Sequence, residues 1–332
     1  MSPQNWPVEL HDVPQTMTNA AAEEASFLRE FCVPFLVGAQ NEDGGWGFYP
    51  DSESRVEPTC WALRALQNSP VHVAESHLRS AQRYLLLAQL RDGSWPATPE
   101  EKTGSWVTSL ASSVLSQHQH SKSSVSGGLE WLCQDYPRDS APWRRFFRKF
   151  HPGSRVADHD DSFRGWGWTP RTSSWVEPSA FAILALQDSP PEWRPAEFSR
   201  RFELAIGVLY DRMCPQGGWN CGNPRVYGVD GQPLVLPTAW ALLALHDQPA
   251  HERKSKSLAW LHNRYRSIHG PASLAVARIT LEAYGVQLPE ISPKLQELFD
   301  AREFPRTTEV VSWSCLALSP ERHWFPPAEC AH

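Results

Sequence analysis

Apolar and polar positions along this chain follow a long-period pattern. An apolar run leads into a Gly-Trp turn, then a polar loop, then a helix of small apolar residues, and the unit recurs. It is written at 35–67 (FLVGAQNEDGGWGFYPDSESRVEPTCWALRALQ), 84–116, 163–187 and 209–247. A unit of this kind cannot bury its apolar face alone and must stack on its neighbours. Six helices predicted from the pattern are apolar nearly all round: 57–68, 105–116, 176–187, 236–246, 273–284 and 308–318. A helix without a wet face is buried on several sides. Pro58, Pro178 and Pro237 fall near the first turn, where a missing N–H costs nothing.

Six amphipathic segments alternate with these, near 23–40, 75–90, 124–134, 197–213, 254–266 and 292–301. In one of them Glu203, Asp211 and Arg212 stand beside Leu204, Ile206, Val208 and Leu209, giving one dry face and one wet face. Short turns such as 68–70 (NSP) and 188–190 (DSP) stop the dry helices. Six dry helices inside six half-wet ones make an all-α (α/α)6 toroid. The expected division is an N-terminal extension over 1–22, one barrel domain over 23–320 and a C-terminal tail over 321–332.

Composition narrows the function. The net charge is −6, and the densest basic cluster is Arg144, Arg145, Arg148 and Lys149. Duplex binding needs many phosphate contacts, so nucleic acid is not the expected partner. Seven scattered cysteines do not read as a disulfide framework. The start of the chain lacks a basic segment followed by an apolar core, so the expected location is the cytoplasm. No run of about 18 apolar residues is present to span a bilayer; a peripheral membrane contact and the oligomeric state stay open. Sixteen tryptophans call for a structural or chemical reason.

The series Gln-x-x-Asp-Gly-Gly-Trp-Gly followed by a Glu-Pro-Thr helix resembles the Gln–Trp repeat of squalene–hopene cyclases and related triterpene cyclases. The same toroid occurs in protein prenyltransferase β subunits. Gln40 to Trp46 and Gln89 to Trp95 carry the match, Gln216 to Trp219 is a shortened one, and the copy at Gly165 to Trp168 lacks the Gln. The likeness spans about 30–320. It implies that Gln40, Trp46, Gln89 and Trp95 are structural clamps between an outer helix and the next turn. It also implies a protonation-initiated cyclase acting on a hydrophobic isoprenoid substrate, without metal or redox cofactor. Those cyclases carry two barrels, and this length holds one.

Asp158-His159-Asp160-Asp161 matches the Asp-x-Asp-Asp motif with which class II terpene cyclases protonate an alkene or epoxide. The resemblance makes Asp160 the acid, with Asp158 and Asp161 as its partners, and His159 could orient the proton. Clustered carboxyls suit this work because mutual repulsion keeps one protonated. The motif is followed here by a turn, 162–167, not by an apolar helix, so the tetrad also reads as an acidic loop. Glu57 and Glu177 share one slot at the start of dry helices, and Glu309 opens another. A helix dipole there favours the ionised form, suiting a base, a cation stabiliser or a simple cap.

Trp61, Trp106, Trp166, Trp168, Trp175, Trp240 and Trp313 lie on or beside the dry helices, where they line a cation site or pack the core. In the loop 217–231, Asn223 and Arg225 could meet an anion, or the loop is a stiff brace. Asp230, Cys221 and His269 are of zinc-ligand type, but their spacing matches no zinc motif and no metal is assigned. Two alternatives remain: a polysaccharide-acting (α/α)6 enzyme with a carboxylate pair, and a non-catalytic barrel serving as scaffold or binding protein.

Overall fold

A computed structural model describes residues 26–137, 159–286, 288 and 291–319. The expected extension 1–22, the tail 321–332, Asp158 and the cluster Arg144, Arg145, Arg148 and Lys149 lie outside the described residues. Twelve helices are described. The first, α1, is a π-helical turn Leu28–Cys32 running into Val33–Gly38. Then follow α2 (Val56–Gln67), α3 (Glu75–Ala88), α4 (Val107–Leu115), α5 (Lys122–Gln134) and α6 (Val176–Asp188). After them come α7 (Phe198–Asp211), α8 (Val235–Ala244), α9 (Glu252–Tyr265), α10 (Pro271–Ala283), α11 (Ile291–Asp300) and α12 (Thr308–Ala317).

The even-numbered helices close a ring. Helix α2 packs on α4, α4 on α6, α6 on α8, α8 on α10, α10 on α12, and α12 returns to α2. Each odd-numbered helix lies against the inner helix that follows or precedes it, outside the ring. The chain is an all-α (α/α)6 toroid, as the two hydrophobic periods predict. Ala62, Ala65, Ala182, Ala185, Ala241 and Ala244 are fully buried, and their small side chains let the inner helices approach one another.

A repeated turn sets the spacing between outer helices. The indole N–H groups of Trp46, Trp95, Trp166 and Trp219 donate to the carbonyls of Leu36, Leu85, Leu132 and Leu209, near the ends of four outer helices, at 2.6–2.9 Å. The backbone N–H of each Trp donates to a hydroxyl in the first turn of the next inner helix: Thr59, Thr108, Ser179 and Thr238. Gln40 Nε2 donates to Gly44 O and to His77 O on α3, and Gln89 Nε2 donates to Gly93 O and to Ser124 O on α5. The clamp role expected for these residues is therefore met by named bonds. Gly44 must be glycine: its φ is +91°, and a Cβ would lie 2.5 Å from Ser80 O.

The copy without a Gln is completed from elsewhere. Arg201 of α7, fully buried, sends its guanidinium to Arg164 O (2.7 Å), Asp135 O (3.0 Å) and Gly165 O (3.3 Å). It lies 3.9 Å over the Trp166 ring. One cation thus does the tethering that the Gln40 and Gln89 amides do in the first two copies, with a cation–π contact added. Desolvation pushes its pKa down to about 10, so it remains charged at neutral pH.

At the C-terminal end of the inner ring, buried charge is neutralised. Arg64 donates to Ser113 Oγ, that hydroxyl donates to Asp188 Oδ2, and Arg64 lies 3.4 Å from the same carboxylate. Arg278 Nε donates to Glu282 Oε1 at 2.6 Å. Buried ions require such partners, because leaving one unpaired costs several kcal/mol, about 3–5.

Candidate active site at the mouth of the ring

The opposite end of the ring is different. All outer-to-inner connections gather there, around the N-termini of the inner helices. One residue in the first turn of α2, α6 and α12 is glutamate: Glu57, Glu177 and Glu309. Four residues further along each helix, one turn deeper on the same face, stand Trp61, Phe181 and Trp313, with Trp240 of α8 at the matching level. These four rings touch across the ring axis. Trp61 stacks on Trp240 at 5.4 Å between centroids, and Trp313 meets Trp61 at 5.5 Å and Trp240 at 5.7 Å. Phe181 meets Trp240 at 5.1 Å. All four are buried, at 6% exposure or less. The expected indole-walled hole is therefore an aromatic floor: at this depth the rings pack on one another and fill the centre. Trp106 and Trp168, half-buried, continue the floor toward the mouth, edge to face at 5.0 Å from each other, with Trp106 stacked on Phe181 at 5.4 Å.

The three glutamates are half-buried above this floor, and among the described residues no cation acts to lower their pKa values. Burial pushes Glu57 up to about 8, Glu309 adds to the rise, and a hydrogen bond from the Trp61 side chain pulls the other way. Burial pushes Glu309 up to about 7, with Glu177 adding to the rise, and burial raises Glu177 as well. Desolvation and mutual repulsion outweigh the helix dipoles, which are worth about 0.3–1 kcal/mol when exposed. For Glu57 this runs against the expectation that the helix dipole keeps the carboxyl ionised, and for Glu177 burial acts in the same direction. At neutral pH the group holds protons, and Glu57 holds one most firmly.

His159, Asp160 and Asp161, the described part of the tetrad, lie in the connection from α5 to α6, beside the C-terminal end of outer helix α7. Asp160 is exposed, its backbone N–H donates to Asp211 at the end of outer helix α7, and its Oδ1 accepts the Ser162 N–H at 2.8 Å. Asp43 and Asp92 accept the N–H of Gly45 and Ser94 in the same way in their own turns. His159 Nε2 lies 2.8 Å from Asp161 Oδ1. Asp160 thus makes the turn-capping bond that its place in the repeat shares with Asp43 and Asp92.

Other expected residues divide similarly. Trp166 is a clamp tryptophan and not part of the floor. Trp175 is 38% exposed at the entry to α6. Asn223 accepts from Arg212, and Arg225, exposed on a two-residue-per-strand hairpin (β1 Arg225–Val226, β2 Val229–Asp230), bonds Gly228 O and pairs with Asp230 at 3.4 Å. Asn223 is thus tied to the end of α7, and Arg225 is engaged within its own hairpin. Among the described residues no cluster of His, Cys, Asp and Glu is arranged to hold a metal ion. Phe181 was not among the expected binding residues, although it stands in the slot that Trp61 fills in the first copy.

Comparison with known proteins places this geometry in context. No protein-family model matches the chain. A drimenyl diphosphate synthase from Streptomyces showdoensis is 25% identical over 248 residues, which is 63% of this chain but 45% of that enzyme. The chain therefore matches less than half of that relative's length. Among solved structures, an α-1,6-mannanase from Salegentibacter sp. HEL1_6 superposes with a TM-score of 0.56 at 12% identity, over 92% of this chain and 98% of that one. The ent-copalyl diphosphate synthase of Streptomyces platensis superposes with a TM-score of 0.50 at 16% identity, over 80% of this chain and 50% of that one. At such identities the two structures establish a shared toroid and nothing about chemistry, whereas the sequence similarity is to a drimenyl diphosphate synthase.

Proposed function

We propose that the chain is a terpene cyclase-like enzyme of the protonation-initiated kind, with its acid at the mouth of the ring. The observation that carries this reading is the convergence of Glu57, Glu177 and Glu309 over a dry aromatic floor, with Glu57 raised to about 8. The Glu57 carboxyl gives its proton to one carbon of a terminal alkene, leaving a tertiary cation on the other. A neighbouring alkene attacks that cation and closes a ring. A proton lost from the final cation returns to the carboxylate group at the mouth, so the net reaction is an isomerisation.

The burial that loads the proton also makes Glu57 a weaker donor. Transfer is favourable where the new cation is met at once by aromatic faces, each worth about 0.5–2 kcal/mol, and by a neighbouring carboxylate. The similarity to a drimenyl diphosphate synthase supports a linear prenyl substrate. Incubating the protein with linear prenyl diphosphates and alcohols of several lengths, followed by mass spectrometry of the extract, tests the reading. Cyclic isomers are expected; unchanged substrate at every length would overturn it.

The filled centre favours a second reading, a barrel that binds a partner and catalyses nothing. The same incubations separate the two.

A further inference from the structure

We propose that a niche between the first two repeats binds a small alkylammonium ion, a cationic head on an apolar body. The end of α3 and the connections on either side of it enclose a half-open cavity of about 530 Å³. Small-molecule sites span about 300–1,000 Å³ and combine an apolar wall with a few polar groups. Here Val56, Leu87, Leu90, Pro96 and Pro99 supply the wall, which reaches inward to buried Val56 and Ser54. Asp43, Glu53 and Tyr84 supply the polar groups.

Register separates this wall from what the repeat alone would build. Leu36, Leu85, Leu132 and Leu209 accept the four clamp indoles and so mark one position in four outer helices. Two residues further on stand Gly38, Leu87, Gln134 and Asp211. Of these four copies, the second alone places a large apolar side chain there, 75% exposed at the lip of the cavity. The next niche along, of about 400 Å³, has Trp131 in the place of Tyr84 and Pro170 in the place of Pro99. Gln134 replaces Leu87 there, and Arg171 replaces Glu100. The fold thus forms the crevice twice and lines it with leucine and acids once. The segment 138–158, outside the described residues, leaves the chain after Tyr136 and Pro137, beside the second niche and not the first.

Charge selects the head group. Asp43 Oδ1 accepts the Gly45 N–H and the Ser54 hydroxyl, and its Oδ2 accepts from no described residue. Glu53 pairs with Arg55 at 2.9 Å, and Glu100 lies beside both at the rim. Among the described residues Arg55 is the one cation bonded to these acids, so negative charge is in excess. The Tyr84 phenol registers it: burial first, then Asp43 and, behind it, Glu53 push its pKa up. An ammonium group entering here donates to carboxylate oxygens and meets an aromatic ring, while its alkyl body covers Leu87 and the prolines. An anion of the same shape is repelled. The niche is separate from the glutamates at the mouth and does not depend on the reading of them.

Titration calorimetry of the full chain with n-hexylammonium, 1-hexanol and hexanoate tests the assignment. The ammonium ion should bind about tenfold tighter than the alcohol, and hexanoate should bind weakest. Glu53→Gln should weaken the ammonium ion by about fivefold and leave hexanol within about twofold. Leu87→Ser should weaken both by about tenfold, because the apolar lip is lost. Both side chains are exposed, so circular dichroism and melting of the variants should match the unaltered chain. The assignment is overturned if hexylammonium gives no saturable heat, if hexanol or hexanoate binds as tightly, or if neither variant changes binding. Binding that survives both variants and disappears in Glu57→Gln also overturns it, placing the ion over the aromatic floor instead. None of these outcomes bears on whether linear prenyl substrates are cyclised.

Discussion

Two acidic clusters invite comparison. Asp160 and Asp161 belong to a known protonation motif, yet Asp160 is exposed and caps a turn beside the end of outer helix α7. Glu57, Glu177 and Glu309 spell no motif and lie far apart in the chain, yet three inner helices bring them together over an aromatic floor. Burial raises all three, and among the described residues no cation offsets it. Asp188, at the other end of the ring, shares the burial but has Arg64 beside it. A carboxyl's chemistry here is set by its place in the ring and by its neighbours, not by the spacing of like residues in the sequence.

The comparison breaks most sharply on activity. Glu57→Gln should reduce turnover of a cyclising substrate by about 10²–10⁴-fold, the range for a lost general acid. Asp160→Asn should stay within about threefold of the unaltered enzyme. The opposite ranking, read from product formation per unit time, would return the acid to the tetrad.

A second contrast concerns the floor. Trp240→Ala should cost about 3–5 kcal/mol in denaturant unfolding, because the ring it removes spans the axis and touches three others. The tetrad turn has no comparable residue.

The third contrast is pH. Glu57 and Glu309 bind protons more tightly in the folded chain than at their ordinary value of 4.5, so their contribution to stability is whole below that value. It is lost as pH rises through about 7 and about 8. Melting temperature should fall across this window, and Glu57→Gln should flatten the fall while removing activity. Product formation should decline over the same alkaline limb.

The smallest effect belongs to the turn. Asp160→Ala removes one capping hydrogen bond at an exposed site and should cost about 0.5–1.5 kcal/mol by thermal or chemical unfolding. Asp43→Ala, in the matching position, should cost a similar amount.

The toroid was legible because its two helix classes differ in something a sequence displays directly, the presence or absence of a wet face. Inner helices predicted at 57–68 and 236–246 fold at Val56–Gln67 and Val235–Ala244. The site was half legible. The shared slot of Glu57 and Glu177 is visible in the repeat, but the rise of their pKa values is not, since it arises first from burial and, for Glu57, then from Glu309, which repeat alignment alone does not bring near. Phe181 could have been found by reading it into the slot of Trp61. Arg201 could not: it completes the turn of one copy from the outer helix of the next, and only the absent Gln hinted that something must. The capping bond of Asp160 was legible from register, since its position matches Asp43 and Asp92 and a turn follows it.

The clamp turns have a consequence for how such a ring can diversify. Each tethers only its immediate neighbours, through bonds that begin and end near the base of a loop. The loop above is left free to lengthen, as 220–231 has done, without loosening the fasteners below. The ring therefore behaves as a fixed chassis with interchangeable cassettes on one side. Transplanting a single cassette between such barrels should alter what they admit while leaving the chassis intact.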